Sequence, residues 1–218
     1  MTRKPRLEYT GALYHVTARG VQRSAIFVDD SDRRQLLGLL ARALNAANAQ
    51  AFAYCLMGNH YHFVIQTHEA NLSVLMHRIN FAYSQAFNRR HARSGHLLEG
   101  RFKAIHVDRE GYLLEVCRYV ELNPVRAGLV ESAAHWKWSS YRAHIGAAPP
   151  LAWLATAELF AVLTGQKPDT DSQFEDAQRE YVEWVAAGHH VDLWSESLRH
   201  GRYLGNDAFV QRTLSGTT

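Results

Sequence analysis

Two histidines one residue apart, His60 and His62, directly follow the pair Gly58-Asn59. Gly-Asn between the apolar runs Ala51 to Leu56 and Phe63 to Ile65 signals a two-residue turn joining antiparallel strands. Side chains on a strand alternate faces, so both imidazoles leave the same face, roughly 7 Å apart by strand rise. Two imidazoles so placed suit two ligands of one metal ion. The competing reading is a pair of ordinary strand histidines, because a chain with 13 His can carry a His-x-His by chance. The position directly after a tight turn, which holds both rings at a strand end, favours the metal.

A second set of reactive groups lies about 60 residues downstream. Tyr119 and Asn123 are four apart at the end of an expected helix from Glu110 to Leu122, so they share a face. Pro124 stops that helix at Asn123, since a residue before proline is pushed out of the helical region. Tyr112, seven residues before Tyr119, lies near the same stripe and competes for any role given to a tyrosine. Cations gather at the ends of other elements. Arg19 and Arg23 flank Gly20 after the first strand, where a phosphate could approach the backbone or the chain could simply turn. Arg101 and Lys103 share one face of an expected strand from Gly100 to Asp108. Arg3, Lys4 and Arg6 read as a flexible basic arm. These seven residues are the candidate contacts to a polyanion.

The elements that must position these groups follow from periodicity. Leu13-Tyr14-His15-Val16-Thr17 alternates between Gly11 and Gly20 and reads as a strand. A helix is expected from about Asp32 to Asn48, with N-caps among Asp29 to Ser31, and another from Asn71 to about Arg90. The order strand, helix, strand, strand, helix, strand, helix predicts an α+β fold: an antiparallel sheet with helices gathered on a face, ferredoxin-like. Trp136 and Trp138 could stack on bases, but core packing is the favoured reading. Gly146 to Pro150 reads as a linker, dividing residues 1–145 from a helical extension, 146–218, with helical patterns at 156–163, 174–187 and 207–214. No chemistry is expected in the extension, and His189-His190 is set aside because adjacent side chains diverge.

Net charge is +3, but its distribution is uneven. Up to Ile145 there are 19 Lys and Arg against 11 Asp and Glu, a balance of +8; beyond it, 5 against 10, a balance of −5. A basic first portion fits nucleic acid. Only Cys55 and Cys117 are present, both in apolar contexts, as in a reducing cytoplasm. No apolar segment follows the basic start, and no run approaches the ~18 apolar residues of a membrane helix. A cytoplasmic protein without membrane contact is expected.

Taken together, three motifs resemble a known family: Gly-Asn-His60-Tyr-His62, Gly100-Arg-Phe-Lys before a strand, and Arg118-Tyr119-Val-Glu-Leu-Asn123-Pro124-Val-Arg126-Ala-Gly128, followed by Trp-Lys-Trp-Ser-Ser-Tyr. In this order they resemble the HUH single-strand DNA transposases, in particular the REP-associated tyrosine transposases, over about residues 7–145. The resemblance implies the HUH nuclease fold, His60 and His62 as metal ligands, Tyr119 as nucleophile and Asn123 as the amide completing the metal site, where insertion-sequence members usually carry Gln. It implies Mg²⁺ or Mn²⁺ and single-stranded DNA folded into REP-type palindromic hairpins, handled by a monomer or a homodimer. The expected reaction is cleavage and strand transfer through a 5′-phosphotyrosine, with no nucleotide cofactor. Two alternatives remain: a non-catalytic hairpin-binding protein of the same fold, and a structural zinc site using His60, His62 and Cys55.

Overall fold

The computed structural model describes residues 6–188 and 193–215. Its centre is a sheet flanked by helices. Strand β1 (Leu13–Arg19) is followed by helix α1 (Asp30–Ala46), the hairpin β2 (Ala49–Leu56) and β3 (His60–Thr67), and helix α2 (Leu72–Arg90). Strand β4 (Lys103–Val107) and helix α3 (Arg109–Glu121) complete the expected series. The four strands pair antiparallel, β1 lying between β3 and β4. The hairpin closes on Gly58-Asn59, with the Met57 N–H donating to the His60 carbonyl.

Alternation along the strands builds two cores. Tyr14, Val16, Tyr61, Phe63 and Ile65 leave one face and pack with Leu36, Leu40, Leu75 and Ile79 of α1 and α2. Leu13, Ala53, Cys55, Val64 and Val107 leave the other and pack with Leu113, Val116, Cys117 and Val120 of α3. Helices therefore cover both faces rather than one, because every central strand carries apolar residues at both parities and each face must be kept from water. Helix α1 begins with a full capping box, Asp29 accepting from the Ser31 and Asp32 backbone and Asp32 returning to the Asp29 N–H.

Beyond α3 the helical path continues through Leu122 into a short turn, α4 (Asn123–Arg126), with Pro124 in its first turn. Pro124 thus redirects rather than stops the helix, since proline is tolerated in a first turn. The segment after α4 seals the free edge of β2: Leu56 N–H donates to the Trp138 carbonyl and Ser140 N–H to that of Tyr54. Trp136 donates its indole N–H to the Leu56 carbonyl, and Trp138 packs against the α1/α2 core, in keeping with the packing reading.

A short α5 (Tyr141–His144) leads to α6 (Thr156–Thr164) and α7 (Asp171–Ala187), which pack onto α3 through Leu159, Phe160, Tyr181 and Val185. Then come α8 (Leu193–Ser197), β5 (Leu198–Arg199), β6 (Tyr203–Leu204) and α9 (Asp207–Ser215). The extension is not purely helical: β6 pairs parallel with β4 and antiparallel with β5, adding a hairpin to the sheet. Two-residue strands show no periodicity that a sequence could reveal. None of the helices among the described residues is long and apolar enough to cross a membrane.

Candidate active site

The register of β1 against β3 sets the site. Thr17 lies opposite His62 and Arg19 opposite His60, so these side chains share the face covered by α3. His62 is 7% exposed and the ring of His60, nearer the strand end, is half-buried, with the two ring centroids 5.0 Å apart. Tyr119, half-buried in the last turn of α3, stands edge-on to His62 at 6.2 Å between centroids. Tyr112 instead donates its hydroxyl to Ser197 Oγ on α8. Among the described residues, no group of three or more His, Cys, Asp or Glu is placed to hold a metal, and Cys55 is buried, its thiol directed to Met57 Sδ.

Each imidazole has one nitrogen engaged and one free. The Asn59 side-chain N–H donates to the Arg23 carbonyl, which turns its Oδ1 toward His60 Nδ1 at 2.7 Å. An amide oxygen only accepts, so His60 carries its proton on Nδ1 and keeps the Nε2 lone pair. His62 Nδ1 meets Nε2 of His15 at 2.9 Å, and its own Nε2 is buried with no partner among the described residues. Burial, with Arg19 adding repulsion, pushes the His60 pKa down to about 4; burial pushes that of His62 well below its ordinary value, the neighbouring histidines and Arg19 adding to it. Both rings are therefore neutral at physiological pH, the form that binds metal.

Asn123 is placed by the irregularity at Pro124. Proline has no N–H to offer the Val120 carbonyl, and the Asn123 side-chain N–H donates instead to Tyr119 O at 2.9 Å and Val120 O at 3.3 Å. Its Oδ1 takes no part in these two bonds. Imidazole nitrogens and an amide oxygen are donor types that suit a divalent cation, and His62 Nε2, buried without a partner among the described residues, is a group that such an ion would satisfy.

The expected cations fall into three groups. Arg19 flanks His60, and Lys103, opposite Thr17 across β1 and β4, lies on the same sheet face; both are exposed. Arg101 precedes β4 rather than sharing a strand face with Lys103, and Arg23 sits in a turn with φ +60°; both are exposed. Arg6 is not a free arm: its guanidinium lies 3.8 Å over the Phe102 ring and donates to the Phe102 carbonyl. Arg3 and Lys4 fall outside the described residues, as do His189 and His190. Gly20 serves its own turn, since a Cβ there would come within 2.1 Å of the Ser24 carbonyl oxygen; this supports the plain-turn reading.

Three neighbours were not expected. His15, 4% exposed, joins His62 and stands edge-on to Tyr119 at 5.8 Å between centroids. Trp194 of α8 stacks on His15 at 5.2 Å and meets Tyr119 edge-on at 4.8 Å, so the extension does border the site. Arg126 lies 4.9 Å over the Tyr119 ring, so the phenol is in contact with a cation as well as an indole. Strand parity puts His15 on the face of Thr17 and Arg19, but only the β1–β3 register brings it to His62. Trp194 is one of three Trp in the acidic extension, and nothing in its sequence context sets it apart.

No curated protein matches the sequence. Among solved structures, the fold is similar to that of a protein described as a REP-associated tyrosine transposase bound to a REP hairpin, with a TM-score of 0.57 and 16% identity over 67% of this chain and 86% of that one. The family described as IS200-like transposase matches residues 8–123, more than half of the 218. The span begins before β1, ends on Asn123 and contains both histidines and Tyr119, so the chain belongs to the IS200-like transposase family.

Proposed function

We propose that this chain cuts and rejoins single-stranded DNA at palindromic hairpins of REP type, with Tyr119 as nucleophile. The observation that carries the reading is the placement of Tyr119 edge-on to His62, 6.2 Å between centroids, in the last turn of α3, with Asn123 bonded to its carbonyl where the chain enters α4. In the proposed step Tyr119 Oη attacks the scissile phosphorus, the bond to the 3′ oxygen breaks, and that oxygen leaves as a 3′ hydroxyl. The phosphate stays on the phenol as a 5′-phosphotyrosine, and a second 3′ hydroxyl later displaces it. Bond energy is conserved through both exchanges, so no nucleotide cofactor is required. A divalent cation, Mg²⁺ or Mn²⁺, held by His60, His62 and Asn123 would supply Lewis-acid neutralisation of charge on the phosphate.

Arg6, Arg19, Arg23, Arg101 and Lys103, with Arg3 and Lys4, are the proposed backbone contacts. The hairpin in the similar solved structure supports the choice of substrate, and the contact of Tyr119 with histidines of its own chain supports action by a single copy, a monomer or one half of a homodimer. A cytoplasmic setting follows from the DNA substrate. Residues 146–218 are proposed to be an extension of the transposase fold of residues 1–145, because α6 and α7 share the α3 core.

The test is Tyr119→Phe, incubated with a hairpin-bearing single-stranded oligonucleotide and Mn²⁺. The variant keeps hairpin binding and forms no covalent adduct, whereas Tyr112→Phe forms one normally. An undiminished adduct in Tyr119→Phe would overturn the assignment.

A further inference from the structure

His60 and His62 each use Nδ1 within the protein, but their partners differ in kind. Asn59 can only accept from His60, so that ring is fixed. His15 is itself an imidazole, and the 2.9 Å contact between its Nε2 and His62 Nδ1 permits two arrangements of one proton. If His62 donates, its Nε2 keeps a lone pair and His15 carries its remaining proton on Nδ1. If His15 donates, the Nε2 of His62 bears a hydrogen and can ligate nothing. Among the described residues, His15 Nδ1 and His62 Nε2 are both buried without a partner, so either arrangement buries one N–H that no described residue accepts. Protein contacts alone thus do not favour the non-ligating form.

The rings are aligned for this bond. Their planes differ by 5° and their centroids lie 5.2 Å apart, the separation of imidazoles meeting nitrogen to nitrogen within a common plane rather than face on face. Trp194 lies against the His15 ring at 24°, fixing its plane from the side of the extension. His15 is not a ligand candidate in this arrangement, because its Nε2 faces His62 and not open space.

We propose that His15 is a positioning residue that accepts the Nδ1 proton of His62 and so aims the His62 Nε2 lone pair into the site, as Asn59 does for His60. The proposal rests on the reading of His60 and His62 as cation ligands. Partners of this kind fix the tautomer and ring orientation of metal-binding histidines, and their removal typically costs about 10–100-fold in metal affinity.

Two measurements on the full chain test it. Long-range ¹H–¹⁵N correlation spectra of the metal-free protein report the tautomer of each ring. The expected result is His60 and His62 both protonated on Nδ1; a His62 protonated on Nε2 would overturn the proposal, whether or not any variant folds. Mn²⁺ titration followed by electron paramagnetic resonance then compares the wild type with His15→Phe and His15→Gln. His15→Phe is expected to bind about 10–100-fold more weakly, and His15→Gln, whose carbonyl oxygen can accept at a similar reach, to recover most of the affinity. Equal affinity in wild type and His15→Phe would overturn the role of His15. A wild type that binds no Mn²⁺ would instead remove the cation reading, while the tautomer spectra still decide what His15 does.

Discussion

Asn123 carries two demands at once. Its side-chain N–H groups satisfy the Tyr119 and Val120 carbonyls beside Pro124, and Oδ1 is the atom proposed for the cation. Asn123→Ala loses these bonds and is expected to cost about 1 kcal/mol, while Asn123→Asp sets a carboxylate that cannot donate against two carbonyl oxygens and costs more. Urea unfolding of the two variants measures the difference; a stability in Asn123→Asp equal to that of the wild type would contradict the helix-end role. The motif residues His60, His62, Tyr119 and Asn123 were readable because each stands at a short, fixed spacing from a turn or a helix end. His15 was not, because its importance lies in a pairing with His62 across 47 positions, which alternation within one strand does not reveal.

Helix α3 is held by buried polar contacts to the segment around α5 and to α7. Glu121, fully buried, accepts from Tyr181 of α7 at 2.8 Å and from Ser140, and it pairs with His144 of α5 at 2.8 Å. Arg118 turns away from the site, donates to the Trp184 carbonyl and lies 4.3 Å over the Trp184 ring. Gly188 ends α7 where a Cβ would fall 2.1 Å from the Arg118 guanidinium. Tyr181→Phe removes one hydrogen bond to a buried carboxylate and is expected to destabilise the protein by about 1.5–3 kcal/mol. Chemical denaturation checks this, and a neutral substitution would show that α7 does not depend on Glu121. The seven main elements to Glu121 were read within a few residues because apolar periodicity and caps mark them. The α8 helix and the β5–β6 hairpin were missed because elements of five and two residues are shaped by what they touch, here α3 and β4.

Across the molecule, burial of histidines makes stability depend on pH. Burial holds His15 down at about 3, burial with Arg19 holds His60 at about 4, and burial holds His106 at about 4, all from 6.5. The unfolded chain takes up protons near 6.5 while the native protein does so only near 4 or below, so acid favours unfolding. Stability is full above pH 6.5 and falls as pH drops from about 6.5 toward 4. The lowered carboxylates Asp29, Asp30 and Asp32 act only below their ordinary 3.8 and do not blur this window. Thermal melts from pH 7.5 to 4.5 are expected to show the decline, with a shallower slope in His106→Asn; a flat profile would contradict it. Of the basic residues in the first portion, Arg19 and Lys103 border the histidine face, while α6 and α7 of the acidic remainder pack on α3.

The most direct test of the whole account is mass spectrometry of the covalent product. Wild-type protein is reacted with a hairpin-bearing single-stranded oligonucleotide and Mn²⁺, digested, and sequenced by fragmentation. The account predicts nucleotide joined through its 5′ phosphate to Tyr119. Nucleotide carried by Tyr112, or a cleaved strand with no tyrosine adduct, would contradict it.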